Sequence, residues 1–132
     1  MKEQGQTFSG RLLSWWDLHG RKDVPWQHPR TAYRVWVSEI MLQQTLVKTV
    51  IPYFNRFVER FPDLRTLATA PEDEVLACWS GLGYYARARN LLKTAKICLE
   101  ENAGELPATP EALAALPGIG QSTANAIYSQ AY

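Results

Sequence analysis

The chain of 132 residues has few cysteines, little excess charge and no long apolar run. Cys78 and Cys98 are its only cysteines, and no second pair completes the four ligands of a structural metal site. We therefore expect both thiols to be small core residues and the chain to hold no metal ion. Its apolar runs fall short of the roughly 18 residues of a membrane-spanning helix, and the opening MKEQGQTFSG lacks the apolar region of a signal peptide. These absences predict a soluble intracellular protein without a membrane partner.

The formal net charge is only +1, which by itself does not indicate a nucleic-acid partner. The charges are nevertheless unevenly distributed along the chain. Residues 82–99 include Arg87, Arg89 and two lysines but no acidic residue, whereas an acidic cluster at residues 72–74 comes just before them. The protein is therefore expected to carry one basic surface although the whole chain is nearly neutral.

Hydrophobic residues make up 46% of the chain, which also contains five tryptophans, so we expect a single domain with a real core. The apolar residues recur at spacings of three and four, and proline and glycine form the breaks between these segments. This pattern predicts an all-α fold. The predicted helices cover Thr7–His19, Tyr33–Gln44, a segment through Phe61 that Pro52 bends or delays, Asp63–Thr69, Pro71–Trp79, Tyr84–Asn102, Pro110–Leu116 and a last stretch up to Tyr132.

One acidic residue, Glu39, stands within an apolar stretch of predicted helix, WVSEIMLQQT at residues 36–45. At about 100° per residue its side chain projects between Val35, Trp36 and Leu42, toward apolar neighbours rather than water. A carboxylate in such a place is paired, protonated or catalytic. Desolvation raises the pKa of a carboxylic acid, and an acid that keeps its proton near neutral pH can act as a general acid. The alternative, a partly exposed glutamate on an imperfect amphipathic helix, stays open.

The sequence LPGIGQSTA at residues 116–124 joins the last two predicted helices through a turn with two glycines, Gly118 and Gly120. Such a turn leaves backbone N–H groups pointing outward at the start of the second helix, where the helix dipole favours an anion. On DNA it would hold a phosphate and set the register without reading the sequence. The alternative is a plain corner in which glycine only supplies a positive φ angle. The pattern favours a helix-hairpin-helix over that corner.

Three segments, SEIMLQQT at 38–45, WSGLGYYARARN at 79–90 and LPGIGQSTANAI at 116–127, together closely resemble the MutY-type adenine DNA glycosylases. These enzymes belong to the helix-hairpin-helix DNA glycosylase superfamily, and the resemblance extends from about Trp15 to the last residue. It implies an N-terminal helix and connecting loop at residues 1–28. A six-helix-barrel module would then cover residues 29–132 and end in the hairpin at about 110–132.

The resemblance also implies a function in base-excision repair. Double-stranded DNA would lie across a cleft, and an adenine mispaired with 8-oxoguanine or guanine would be swung out of the duplex and hydrolysed from its sugar. Glu39 matches the family's acid, which protonates the adenine ring so that the base can leave. Ser122 lies where related bifunctional enzymes carry the lysine that forms a Schiff base, so the chain resembles a monofunctional glycosylase. For Ser122 a role as an ordinary first-turn helix residue also remains open.

The same resemblance implies a set of DNA contacts that spans all three segments. The expected DNA-binding residues are Gln43, Gln44, Thr45, Leu82, Gly83, Tyr84, Arg87, Gly118, Gly120 and Gln121. Trp26 is expected to border the adenine pocket. Simpler interpretations remain for several of them: ordinary packing for Leu82 and Tyr84, a core position for Trp26, and a solvated surface for Arg87.

Several parts of the family pattern have no counterpart in these 132 residues. They are the aspartate that stabilises the cationic sugar, the four cysteines of an iron–sulfur cluster, and the domain that recognises 8-oxoguanine. We therefore expect the chain to lack most of the second, iron–sulfur lobe and to be a fragment of a cytoplasmic, nucleoid-associated parent enzyme that holds a 4Fe–4S cluster. Alone, it should have little activity, and its uncovered apolar surface should favour self-association.

Two other function classes remain. The chain could be a non-catalytic helix-hairpin-helix module that only binds DNA, or a helical protein-interaction module in which the hairpin is only a corner. Within the superfamily, a thymine or oxidised-pyrimidine glycosylase is a further possibility. The resemblance favours adenine over these because of Ser122 and the QQT and GLGYY segments.

Overall fold

The structure, a computed structural model, describes residues 24–132. The helix predicted over Thr7–His19 lies outside the described residues. In residues 24–132 the chain forms helices and turns and contains no strand, which confirms the predicted all-α class. A short 3-10 helix, Pro25–Gln27, is followed by α1 (Ala32–Leu42), α2 (Val47–Arg60), α3 (Leu64–Ala68), α4 (Glu72–Trp79), α5 (Tyr85–Glu101), α6 (Pro110–Ala114) and α7 (Gln121–Ala131).

Three helices begin at a polar side chain that caps the first turn. The Thr31 hydroxyl accepts a hydrogen bond from the Arg34 N–H at 3.2 Å at the start of α1. Asp63 accepts from the Thr66 N–H at 2.8 Å at the start of α3, and Thr109 caps α6 in the same way. Each cap satisfies one N–H that has no partner inside its helix. These short polar residues therefore explain why the predicted starts lie within one residue of the observed ones.

Two prolines correct details of the predicted helix starts. Pro52 lies inside α2, which already begins at Val47, so the alternative that Pro52 delays the start of this helix is wrong. Pro52 is exposed, so water can reach the carbonyl that its missing N–H leaves without a helical partner. Pro71 is the N-cap of α4 and not its first helical residue, while the acids at 72–74 occupy the first turn as predicted.

Helix α1 is the centre of the core and packs against α2, α5 and α7. Five of its apolar side chains are almost fully buried; they are Val35, Trp36, Val37, Ile40 and Met41. Aromatic side chains from other helices complete the core, and Phe57 and Trp79 meet edge to face with ring centroids 6.0 Å apart. The one buried polar side chain of α1, Ser38, donates its hydroxyl hydrogen to the Val35 carbonyl at 2.7 Å. Because so much of α1 is buried, the positions of its polar side chains are fixed by the packing of the apolar ones.

Helix α5 places against the core an apolar stripe that consists of Ala88, Leu91, Leu92, Ala95 and Cys98. Cys98 belongs to this stripe, and burial raises the pKa of its thiol to about 11. Cys78 on α4 is only half-buried, so the prediction of a core thiol is confirmed for Cys98 and only partly for Cys78. The basic surface expected from residues 82–99 includes Arg87 only in part, because this side chain is half-buried.

The N-cap of α3 offers a test of how much a charged cap contributes to stability. The carboxylate of Asp63 accepts hydrogen bonds from Thr66, and these bonds lower the pKa of Asp63 below its ordinary value of 3.8. Asp63→Ala should reduce the free energy of unfolding at neutral pH by about 1 kcal/mol. Because the folded-state pKa is lowered, the stabilisation is complete above the unfolded-state pKa and is lost as the pH falls through the folded-state value.

Urea unfolding at neutral pH and at a pH well below 3.8 measures this effect. Asp63→Asn is the matched control because the amide still offers an acceptor oxygen but carries no charge. Equal costs for Asp63→Ala at both pH values would show that the charge contributes nothing.

Candidate nucleic-acid interface

Two turns with strained backbone lie at neighbouring helix ends. The first, which we call the QQT loop (residues 43–45), follows α1 and contains Gln44 with φ +62°. The second, the GLGY loop (residues 81–84), precedes α5 and contains Tyr84 with φ +53°. Non-glycine residues rarely adopt this left-handed conformation, and when they do they are concentrated at functional sites. Both side chains are exposed, Tyr84 to 63%.

Both glycines of the GLGY loop have a positive φ angle, and Gly81 also lies close to the side chain of Tyr53. Gly81 has φ +100°, and a Cβ atom there would lie 2.0 Å from the hydroxyl oxygen of Tyr53. The Gly83 carbonyl accepts a hydrogen bond from the Trp79 indole at 3.2 Å. The loop is thus pressed against α2 and tied to the end of α4.

The predicted hairpin is formed by α6, the turn at 115–120 and α7. Gly118 has φ +79°, and a Cβ atom on it would lie 3.0 Å from the Cβ of Asn90. The turn is also tied to α5, because the Thr94 hydroxyl donates to the Pro117 carbonyl at 2.9 Å. Helix α6 ends two residues before the predicted Leu116, since the N–H of Leu116 bonds to the Leu113 carbonyl and tightens the chain into the turn.

The start of α7 is open to a ligand. Its N-cap, Gly120, has φ −83° and no heavy atom within 4 Å of a Cβ built on it. Glycine has no side chain to bond the first N–H groups of the helix, and Ser122 in this first turn is exposed. Gln121 is exposed too and donates its side-chain amide to Asn125 at 3.1 Å. The first turn of α7 therefore has no side-chain cap at Gly120, and the anion site predicted there stays a prediction.

The hairpin and the two loops lie next to one another. The Gln43 amide donates to the Thr123 hydroxyl at 3.4 Å, which links the QQT loop to α7. A small cleft lies where α1, α5 and the hairpin meet, and its lining includes Gln43, Arg87, Asn90 and Gly118. Tertiary structure therefore brings together segments that are up to 80 positions apart in the sequence.

Glu39 lies on α1 at the interface with α7 and is half-buried. One of its carboxylate oxygens accepts a hydrogen bond from the Gln130 amide at 2.8 Å. The hydrogen-bond partner of this carboxylate is thus a neutral amide on α7. No local pattern pointed to Gln130, because this residue lies 91 positions further along the chain.

The Arg87 guanidinium lies between the two loops. Its Nη1 donates to three carbonyl oxygens at the end of α1 and in the QQT loop, those of Ile40 at 2.9 Å, Met41 at 3.2 Å and Gln43 at 2.5 Å. Its Nη2 donates to the Gly83 carbonyl at 3.4 Å. Burial lowers the pKa of Arg87, which has no carboxylate paired with it within residues 24–132. This geometry favours a structural role over the predicted contact with a DNA phosphate.

Two other predicted site residues are buried. Leu82 is 8% exposed, and Trp26 is 5% exposed and packs edge to face on Phe54 with ring centroids 5.3 Å apart. These positions agree with the simpler interpretations of ordinary packing and a core position. Thr45, in contrast, is half-buried and stands beside the exposed Gln44.

The expected basic surface on α5 is partly neutralised by the acidic cluster. Arg89 forms an ion pair with Glu72 at 3.5 Å, and Arg60 of α2 is paired with Glu74. Lys96 donates to the Ala68 carbonyl at 2.9 Å, while Lys93 is exposed. Such exposed pairs contribute little to stability, but they reduce the positive potential of this helix.

The described residues contain no group of three or more His, Cys, Asp or Glu side chains placed to hold a metal ion. Cys78 and Cys98 lie on different helices, so these residues do not fit a four-cysteine cluster. Among the helices of residues 24–132, none has the length and apolar character needed to cross a membrane.

The fold and the hairpin define a class of DNA-repair protein. A solved structure of a thermostable thymine-DNA glycosylase matches the chain with a TM-score of 0.77 and 27% sequence identity, over 90% of this chain and 55% of that one. The family model of the HhH-GPD superfamily base excision DNA repair proteins matches residues 37–128. The chain belongs to this family.

Curated relatives with a high identity are adenine DNA glycosylases. The one from Buchnera aphidicola subsp. Schizaphis graminum is 52% identical over 123 residues, which are 93% of this chain and 35% of that protein. The one from Homo sapiens is 46% identical over 135 residues, which are 96% of this chain and 24% of that protein. The chain thus spans about a third or less of the length of these relatives.

The two hairpin glycines should differ in what they tolerate. Gly118→Ala places a methyl group against Asn90 in a left-handed backbone, so it should lower the free energy of unfolding by about 1–3 kcal/mol. Gly120→Ser is the matched control, because its backbone is extended, its surroundings are open and serine is a good N-cap. Thermal or urea unfolding measures both. Equal effects of the two substitutions would contradict this description of the turn.

Proposed function

We propose that these residues form part of an adenine DNA glycosylase, which hydrolyses the N-glycosidic bond of adenine mispaired with 8-oxoguanine or guanine. The main support is the half-buried carboxylate of Glu39 beside α7, within a family of base-excision repair proteins. The relatives named adenine DNA glycosylases support the choice of base. The proposed division is an N-terminal segment at 1–28 and a barrel module at 29–132 that ends in the hairpin.

Glu39 is proposed to be the general acid. The bond between the sugar C1′ and the adenine nitrogen breaks with its electron pair going to the base, and a proton from Glu39 neutralises the leaving ring. The sugar passes through an oxocarbenium-like cation, which water then attacks at C1′ with the loss of a proton. The Gln130 amide orients the carboxyl group through its hydrogen bond. No step requires a metal ion.

Extruding the adenine costs a few kcal/mol, which contacts with the opened duplex must offset. Gln44 and Tyr84 are the proposed wedge because both are exposed and held in a left-handed backbone. Thr45 and Leu82 support them, and Gly83 allows the second loop to turn. Backbone N–H groups at Gly118, Gly120 and Gln121 would bind a phosphate. Trp26, as proposed, borders the adenine pocket from the core side.

Ser122 is proposed to make this enzyme monofunctional, because a hydroxyl cannot form the Schiff base needed for strand cleavage by amine chemistry. The prediction is that sodium borohydride traps no covalent adduct between the protein and an adenine-containing mispair duplex. Gel electrophoresis after borohydride treatment measures this. A trapped adduct that forms as fast as the base is released would overturn the monofunctional assignment.

The parent protein is proposed to act at the nucleoid in the cytoplasm and to carry a 4Fe–4S cluster in residues outside this chain. Self-association of the 132 residues is also part of the proposal. It is supported by Tyr128 and Tyr132, which contact each other with ring centroids 5.9 Å apart and are 40% and 54% exposed.

Glu39→Gln tests the proposed chemistry. The amide keeps the size of the side chain and an acceptor for Gln130 but cannot donate a carboxylic proton, so single-turnover adenine release should fall by at least about 100-fold. The substrate is a duplex with adenine opposite 8-oxoguanine. Glu59→Gln is the matched control because Glu59 is an exposed glutamate on α2.

Since the 132 residues alone are expected to react slowly, the assay is also run in a chimera. In it, this chain replaces the matching segment of the Buchnera aphidicola relative, with which it is 52% identical. Duplex binding should be the same for both variants. If Glu39→Gln releases adenine at the rate of Glu59→Gln, Glu39 is not the general acid. If the unchanged chimera binds the duplex but releases no adenine, the alternative of a non-catalytic helix-hairpin-helix module is correct.

A further inference from the structure

The QQT and GLGY loops hold their strained residues next to a common partner. Gln44 and Tyr84 both have left-handed backbone angles and exposed side chains, although 40 positions separate them. An isolated loop would relax such a conformation, because an L side chain disfavours it. It persists only where the surrounding structure holds the backbone on both sides. A residue that holds both loops at once would also fix their separation.

Arg87 is bonded to both loops. The carbonyl of Gln43, directly before Gln44, accepts from its Nη1, and the carbonyl of Gly83, directly before Tyr84, accepts from its Nη2. The guanidinium carbon also lies 5.4 Å from the centroid of the Tyr84 ring and 5.6 Å from that of Trp79. The two hydrogen bonds therefore end one residue before each strained position.

The electrostatic setting explains why a cation is stable there without an acid. The C-terminal carbonyls of α1 carry the negative end of the helix dipole, and Nη1 bonds to those of Ile40 and Met41. The flat face of the guanidinium is covered by aromatic rings. Among the atoms of the described residues, Nε of Arg87 is buried without a hydrogen-bond partner, so the group is desolvated on that side as well.

We propose that Arg87 is a positioning residue that joins the QQT and GLGY loops into one rigid wedge, rather than a contact to a DNA phosphate. Its planar fork reaches two loops at once, which the single ammonium of lysine cannot reproduce. The expected effect of Arg87 on duplex binding rests on the proposed function. The expected effect of Arg87 on the rigidity of the two loops in the free chain does not rest on it.

Amide hydrogen exchange in the free 132-residue chain is the first test. The hydrogen-bonded N–H groups of Gln43, Thr45 and Leu82 report on the two loops, and the N–H of Leu67 in α3 is the reference. Arg87→Lys and Arg87→Met should each speed exchange in both loops at least tenfold while Leu67 is unchanged. Arg89→Met is the matched control, because Arg89 is an exposed arginine of the same helix.

Three results would overturn the proposal. The first is amide exchange in Arg87→Lys at the wild-type rate. The second is faster exchange in only one of the two loops or in neither. The third is an equal increase in the exchange rate at Leu67, which would indicate a general loss of stability. Arg87→Lys keeps the charge and most of the aliphatic stem, so it decides the question if Arg87→Met does not fold.

Duplex binding at several salt concentrations is the second test, and it is measured in the chimera with the Buchnera aphidicola relative. Positioning predicts that both Arg87 variants lose the preference for an 8-oxoguanine:adenine duplex over a matched one, with an unchanged dependence of log Kd on log salt concentration. A phosphate contact predicts instead that the slope falls by about one in Arg87→Met and is retained in Arg87→Lys, which would overturn the proposal. If the wild-type chimera shows no preference, the proposed function fails, and the exchange experiment on the free chain still decides the role of Arg87.

Discussion

The burial of α1 is the constraint on which the rest of this structure depends. Val35, Trp36 and Met41 leave almost no surface exposed, so the helix can neither rotate nor slide without opening cavities in the core. The directions in which the other residues of α1 point, and how deeply they are buried, are therefore set by these three side chains. Glu39 faces α7 from this helix, and the QQT loop begins where it ends.

An apolar helix that carries polar groups must provide each of them with a partner, since an unpaired polar group in such a place is costly. Gln130 provides one for the carboxylate of Glu39, and Arg87 provides one for the carbonyls at the end of α1. The same partners connect α1 to the hairpin helix and to the GLGY loop. Pairing of buried polar groups thus also assembles the candidate site, and this explains how loops distant in sequence keep a common geometry.

Most helices could be predicted to within two residues, because their signals are local. Thr31, Asp63 and Thr109 cap the turns that follow them, and the spacing of apolar residues on α5 matches its buried stripe. Pro52 was harder to interpret, because a proline inside a helix and one near its start have the same local sequence pattern. The choice depends on the exposure of the carbonyl it leaves unpaired, which only packing decides.

The sequence by itself determined the all-helical class, the glycine-bearing hairpin and the acid placed on an apolar helix, since each follows from residues close together in the chain. Tertiary structure alone decided that Gln130 bonds to Glu39 and that Arg87 turns inward to two loops. A side chain of arginine is equally compatible with solvent, a phosphate or a carbonyl. Which of these it meets depends on where other helices end, and helical periodicity carries no information about that.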